Sequence, residues 1–367
     1  MRMCYTLSRR EVYHPMKKAL KIILVVLLVL VVLVAALLIW LSATALDPET
    51  EAAVLTPDAG STASCAPGDT ISVLSWNTGY AALGEESDFF MDGGAQTRPE
   101  SKNIVEKNLE GLISRISQTG ADFTLLQEVD SGSTRSYGIL ETEKIQSALG
   151  QASAYARNYK CPFVPYPVPP IGKVSSGVLT LSSAPIGAAE RVALPSPFKW
   201  PVSTANLKRC LLVSYVDLEG TDKQLVLVNL HLEAYDDGAG KAAQTKLLNE
   251  FIQSEYEKGN YVIAGGDFNQ TFPGALEQYP IKNEALWTPG MLDDSMLPEG
   301  WRFAYDASVP TCRLLNEPYD PASENTQYYV IDGFILSPNV TLNTVETLDA
   351  GFRYSDHNPV LLNVTLG

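Results

Sequence analysis

Gly265-Gly266-Asp267-Phe268-Asn269, and nearer the C-terminus Ser355-Asp356-His357-Asn358-Pro359-Val360, are the stretches on which the reading of this 367-residue chain turns. The first closes an apolar run, Tyr261 to Ala264, and the second opens another, Val360 to Val364. A buried strand that finishes in Gly-Gly-Asp-x-Asn delivers a carboxylate and a carboxamide to the rim of a sheet, where open α/β folds place their chemistry. Taken alone, Asp-Phe-Asn is equally well explained as an Asx-rich turn. The surrounding pattern decides between the two.

Histidine usage is part of that pattern. The chain has three His, and His14 precedes a long apolar segment, which leaves His231 and His357 for the rest. His231 ends the run Leu225 to Leu230, and His357 sits between Asp356 and Asn358. A lone His is usually a structural residue. Two, each at the end of an apolar run and close to acids, suit proton transfer near neutral pH. Further runs end in the same way: Ile71 to Trp76 at Asn77, Phe123 to Gln127 at Glu128, and Tyr328 to Ile331 at Asp332. Glu128, Asp267 and Asp356 with Asn77 and Asn269 form an oxygen donor set suited to a hard divalent cation. Zinc is disfavoured, because no C-x-x-C spacing occurs and two His are too few for a His-rich site.

The order Ser-Trp-Asn77, Leu-Gln-Glu128, Asn-Leu-His231-Leu, Gly-Asp267-Phe-Asn269, Ile-Asp332-Gly and Ser-Asp356-His357 resembles the endonuclease/exonuclease/phosphatase superfamily over about residues 70–366. The resemblance implies a four-layer α/β/β/α sandwich of two mixed sheets. It further implies a hydrolase of phosphodiester or phosphomonoester bonds that uses Mg²⁺ or Mn²⁺. By position, Glu128 corresponds to the main metal carboxylate, with Asn77 beside it and Asp356 at the metal or its water shell. Asp267 corresponds to the group that orients or deprotonates the attacking water, and Asn269 to a donor to the phosphoryl oxygen. His357 would contact the scissile phosphate with Asp332 holding its ring, and His231 matches a second His of deoxyribonuclease-like and sphingomyelinase-like members. Ile331-Asp332-Gly333 departs from the Cys-Asp-Arg of inositol phosphatases, and His231 departs from the Tyr usual in abasic-site enzymes. A nuclease acting on extracellular DNA or RNA and a sphingomyelinase-like lipid phosphodiesterase stay open. So does a catalytically inactive binding module on the same fold. Glu233, two residues beyond His231, either orients it from the same strand face or is a solvated edge acid.

The N-terminal region speaks to location. Ala19 to Leu41 holds one charge, Lys21, and Ile22 to Leu41 is uninterrupted apolar sequence, long enough to span a hydrocarbon core. It exceeds the h-region of a cleaved signal, although Ala43-Thr44-Ala45 offers a cleavage pattern. Basic residues precede it and Asp47, Glu49 and Glu51 follow, so the positive-inside rule puts the N-terminus in the cytoplasm and the rest of the chain outside. The expected organisation is a short cytoplasmic N-terminus (1–18), a transmembrane anchor (19–41), a flexible linker (42–69) and a monomeric catalytic domain (70–367). Met16 offers an alternative translation start to Met1.

Beyond Lys21 the chain carries 21 basic and 41 acidic residues, net −20. That field does not draw in nucleic acid or anionic membrane, and it argues against tight, processive DNA binding. Cys65, Cys161, Cys210 and Cys312 follow the anchor and permit three two-bridge pairings or none. Helices are expected over 99–118 and 241–258 from their apolar periodicity. Two irregular stretches, 155–173 and 270–327, are the expected seats of substrate choice. They supply Arg157, Asn158 and Arg313 as candidate substrate contacts.

Overall fold

The computed structural model describes residues 10–57, 63–236 and 238–367. Cys4 and the Met1 start lie outside them. One unit, up to Ala45, is dominated by helix α1 (Arg10–Thr44). Its Met16–Thr44 part is long and apolar enough to cross a membrane.

The second unit, Leu46–Gly367, holds two large sheets. Its strands are β1 (Val54–Thr56), β2 (Thr70–Asn77), β3 (Phe123–Asp130), β4 (Ala152–Val164), β5 (Gly172–Ser182), β6 (Ala188–Ala193) and β7 (Cys210–Asp217). They continue with β8 (Gln224–His231), β9 (Tyr261–Asp267), β10 (Arg302–Ala304), β11 (Asp332–Leu336), β12 (Val340–Thr347) and β13 (Val360–Leu366). The first sheet runs β1-β4-β5-β3-β2-β13-β12 and the second β10-β11-β9-β8-β7-β6. Both are mixed: β2 with β3, and β8 with β9, pair in parallel, and the other neighbours are antiparallel.

Strand alternation builds the layers. Side chains of successive residues point to opposite faces, so Val73, Leu125, Leu227, Ile263 and Phe334 share the core between the sheets. Their neighbours face outward. Leu74, Trp76 and Leu126 meet Val105, Leu109, Leu112 and Ile116 of α2 (Lys102–Thr119) and Ile145 of α3 (Glu141–Leu149). On the far side, Val226, Val228, Val262 and Ala264 meet Leu248 and Ile252 of α4 (Ala239–Glu257). Strands buried on both faces read as continuous apolar runs, which is why these runs stood out in the sequence. The four-layer arrangement of two mixed sheets is the one expected. A polar link crosses the inter-sheet core: Gln127 Nε2 donates to Asn229 Oδ1 at 2.9 Å, and Asn229 Nδ2 donates to the Leu126 and Leu179 carbonyls.

Two expectations are corrected. The described parts of 42–69 are not a free linker beyond Leu46, because β1 pairs with β4 and Leu46 is buried. In addition, Cys65 bridges to Leu218. Short apolar pieces such as Val54–Thr56 carry no period of their own and form a strand only where an edge awaits them. The 155–173 stretch is not irregular either: β4 extends to Val164 and β5 starts at Gly172, leaving a short connection. All four cysteines after α1 are free and buried.

Candidate active site

Three strands bring three of the candidate residues side by side. In the second sheet His231 is the register partner of Asp267 across β8 and β9, and Asp332 is its partner across β9 and β11. The Gly-Gly pair before Asp267 makes this possible. Gly266 has φ +150, and a Cβ there would collide with the Leu230 carbonyl. At Gly265 a Cβ would meet the Phe334 ring. Only glycine lets β9 lie this close to both neighbours.

The first sheet supplies the opposite wall. Asn77 ends β2, and its Nδ2 donates to Asp267 Oδ2 at 2.9 Å, joining the two sheets at their rim. Glu128 lies within β3 but adopts φ +56, at a register shift between Leu126 and Val129 where β3 faces β5. Such a bulge re-aims one side chain, and here it turns Glu128 out of the alternation that buries Leu126 and Val129. Asn269, also at positive φ, donates from Nδ2 to the Leu232 carbonyl, and its backbone N–H donates to Asp267 Oδ1 at 2.8 Å.

His357 is fixed on three sides. Its Nδ1 donates to Asp332 Oδ2 at 2.8 Å, its backbone N–H donates to Ser355 Oγ, and its carbonyl accepts from Trp76 Nε1. Nε2 faces Asp267 Oδ2 at 3.8 Å and Asp356 Oδ2 at 3.9 Å. His231 Nε2 lies 3.5 Å from the same Asp267 oxygen and 4.0 Å from Glu128 Oε1. Both rings therefore converge on one carboxylate.

Burial and charge set the protonation. Burial alone would push His357 down, but the carboxylates around it, Asp332 foremost, hold it well above the usual histidine range. His231 goes the other way: burial, reinforced by the Arg209 charge, holds it well below that range. Burial pushes Glu128 up to about 7, with Arg135 opposing and Asp356 adding to the rise. Asp267 is raised by burial and by the charge of Asp332, and Asp356 is raised by burial. Pairs whose environments drive them apart, as these two histidines are driven, are the mark of acid–base sites.

The donor set fits a hard cation. The Glu128 carboxylate accepts no hydrogen bond among the described residues, and it shares the cleft with the acidic Asp267 and Asp356. Asp332 Oδ1 is buried without a hydrogen-bond partner among the described residues. Clustered, desolvated carboxylates short of donors are destabilising unless a cation or protons neutralise them. Asp267, Asp332 and His357 present ligand atoms within 4.8 Å of one another, as do Cys312, Asp356 and His357.

The remaining candidates divide. Asn158 is buried and lines the cleft, whereas Arg157 does not reach it: Nη1 is held by Glu51 at 2.9 Å, so its assignment to substrate is corrected. The sequence offered no sign that an acid ahead of the fold would return to it. Arg313 lines the cleft but is almost wholly buried, and it donates to the carbonyls of Gly84, Ser87 and Glu317. Glu233 is not a solvated edge acid. It is buried against Arg209 at 3.3 Å, and Arg209 also donates to the His231 carbonyl, so the acid steadies the His231 backbone and leaves ring Nδ1 without a partner among the described residues.

Several groups carried no signal in the sequence. Arg135 stacks 3.5 Å above the Tyr80 ring while paired with Asp130. Tyr235 donates to Asp92, which burial pushes up to about 6. The site opens into a cleft of about 720 Å³ with Phe89, Phe90, Tyr166 and Trp287 in its walls.

The comparisons agree with this fold. Residues 74–357 match the model of the Endonuclease/Exonuclease/phosphatase family. Among solved structures, an endonuclease/exonuclease/phosphatase from Beutenbergia cavernae aligns with TM-score 0.56 and 17% identity, over 81% of this chain and 72% of that one. A family protein from Bacteroides thetaiotaomicron aligns with TM-score 0.51 and 14% identity, over 82% and 98%. One from Bacteroides vulgatus gives 0.50 and 15%, over 82% and 100%. No curated protein matches the chain. With its two-sheet fold and the match spanning every strand-end residue from Asn77 to His357, the chain is a member of the endonuclease/exonuclease/phosphatase family of phosphoester hydrolases.

Proposed function

We propose that this chain is a membrane-anchored, divalent-metal-dependent phosphoesterase that hydrolyses phosphodiester bonds by attack of water. The observation that carries the reading is the convergence of His231, His357 and Asn77 on the single buried carboxylate of Asp267. Glu128, Asn77 and Asp356 would hold Mg²⁺ or Mn²⁺, which when bound supplies Lewis-acid polarisation of a phosphoryl oxygen.

The chain's own residues do the rest. Asp267, fixed by the Asn77 amide and the Asn269 N–H, orients the water and takes its proton as the oxygen bonds to phosphorus. Its raised proton affinity suits it to that task near neutral pH. Asn269 has one amide N–H beyond the bond to Leu232, and this hydrogen donates to the phosphoryl oxygen as charge builds there. His357, kept protonated by Asp332, stabilises the phosphorane-like charge and gives its Nε2 proton to the leaving oxygen as the P–O bond breaks. Neutral His231 donates or accepts at Nε2, steering the water toward Asp267.

Helix α1 anchors the enzyme with its N-terminus in the cytoplasm and the catalytic unit outside, a reading supported by its length and by the flanking charges. The full chain in detergent, assayed on bis(p-nitrophenyl) phosphate with Mg²⁺, Mn²⁺ or EDTA, tests the proposal. Metal-dependent turnover supports it; a folded chain that turns over no diester under any of these conditions refutes it.

A further inference from the structure

The cleft described above has a rim whose composition departs from the rest of the chain. Glu190 is the only acid between Lys144 and Val216, in a protein that carries 42 acids. Two exposed, apolar segments rise from that region. One is the β4–β5 connection, where Tyr166 is 68% and Val168 94% exposed; the other holds Trp200 at 64% and Val202 at 58%. Tyr166 and Val202 also line the cleft, so the exposed apolar surface is continuous with the site's mouth. Lys173 and Lys199 stand exposed beside these segments.

Inside the cleft the charge pattern is different. Among the described residues no lysine lines it, and each of the three arginines that do is already bonded: Arg135 to Asp130, Arg209 to Glu233, Arg313 to backbone carbonyls. A polyanionic strand needs several free cations along its path, since phosphate contacts dominate its affinity. A single phosphodiester with an apolar substituent needs none beyond the reacting centre. Exposed Trp, Tyr and Val beside lysines are the composition that partitions into a headgroup layer, apolar groups inward and ammonium groups at phosphate level.

We propose that this rim docks on a phospholipid surface and that the substrate is a lipid phosphodiester drawn from it into the cleft. The docking half stands on the rim alone; the substrate half rests on the phosphoesterase reading. Tyr166 and Val168 on one side and Trp200 and Val202 on the other enter the headgroup region, and the lipid's phosphate reaches Asp267 and His357 past the aromatic walls.

The test uses the full chain and its Val168→Ser/Trp200→Ser variant, neither residue lining the cleft. Each is assayed on soluble bis(p-nitrophenyl) phosphate, on phosphatidylcholine and sphingomyelin in mixed micelles, and on single-stranded DNA. Separately, quenching of the chain by brominated phosphatidylcholine in nanodiscs is compared with that of Trp200→Phe, which isolates the contribution of Trp200. The variant is expected to lose about tenfold or more on lipid, the scale of withdrawing two apolar side chains from a lipid phase, while the soluble diester changes by less than about twofold on the same free-energy scale. Trp200 is expected to be quenched, and turnover of one lipid over the other tells which backbone the cleft takes. Equal losses on soluble and lipid substrates, an unquenched Trp200, or preference for DNA would each overturn the proposal. Quenching of Trp200 in a chain that hydrolyses no diester would uphold the docking and reject the phosphoesterase reading beneath it.

Discussion

Asn77 and Asp267 belong to different sheets, and the 2.9 Å bond from the Asn77 amide to the Asp267 carboxylate is where the two sheets meet at the site. The strands converge there, so the carboxylate is oriented by the fold's two halves together. Replacing Asn77 by Ala leaves Asp267 Oδ2 with no amide donor and free to rotate toward His357. We expect kcat on a soluble diester to fall by about a hundredfold, the usual scale for a positioned acid–base group, with a stability loss of about 1–3 kcal/mol from the buried carboxylate left short of a donor. Steady-state kinetics beside a melting curve checks both.

The Asp332–His357 pair predicts a pH effect whose sign is fixed. Asp332 raises the proton affinity of His357, so Asp332→Asn lowers it. If protonated His357 is the working form, the variant loses activity at a lower pH than the wild type on the alkaline side of the profile. The same pair contributes stability that is fully present below the unfolded histidine value of about 6.5 and is lost as pH rises through the higher folded value. Asp332→Asn should therefore destabilise most in mildly acid solution. A variant whose alkaline limb does not move would remove Asp332 from this role.

Metal and proton should compete for the same carboxylates. Glu128, pushed up to about 7, and the raised Asp356 hold protons in the metal-free fold that the unfolded chain releases near pH 4. The native state then binds more protons, so metal-free stability falls as pH rises between those values. A bound cation replaces the protons. The rise in Tm on adding Mg²⁺ should be larger at about pH 8 than at about pH 5; equal rises at both would contradict the assignment of these acids to the metal.

Gly266 tests the close approach of β9 and β8. A methyl group there must displace the Leu230 carbonyl from a strand pair buried on both faces. Gly266→Ala is expected to cost about 3 kcal/mol or more, the range of a strained backbone combined with overpacking. Chemical denaturation measures it, and a loss under about 1 kcal/mol would show the strand can shift without penalty.

Much of this site could be read from the sequence because its residues sit where apolar runs stop. Asn77, His231 and Asp267 end strands buried on both faces and Asp332 opens one, and the continuous hydrophobicity of these strands needs no tertiary knowledge to see. What escaped depends on contacts between distant segments. The bulge that turns Glu128 outward is set by β5, the strand at Val54 by the open edge of β4, and the capture of Arg157 by an acid about a hundred residues earlier. The aromatic wall at Trp287 comes from the 270–327 stretch. Its path is held by side chains such as Tyr329, whose hydroxyl donates to the Trp287 carbonyl, rather than by a repeating pattern.

The central claim is that Asp267 and His357 act on a phosphoester with the help of a cation held near Glu128. It is tested most directly by hydrolysis of bis(p-nitrophenyl) phosphate by the full chain, its Asp267→Asn and His357→Gln variants, with Mg²⁺ and with EDTA. We predict turnover with Mg²⁺ that EDTA abolishes and that each variant lowers by at least about a hundredfold while its melting curve still shows a cooperative folded state. Wild-type turnover retained in EDTA, or in either folded variant, would contradict it.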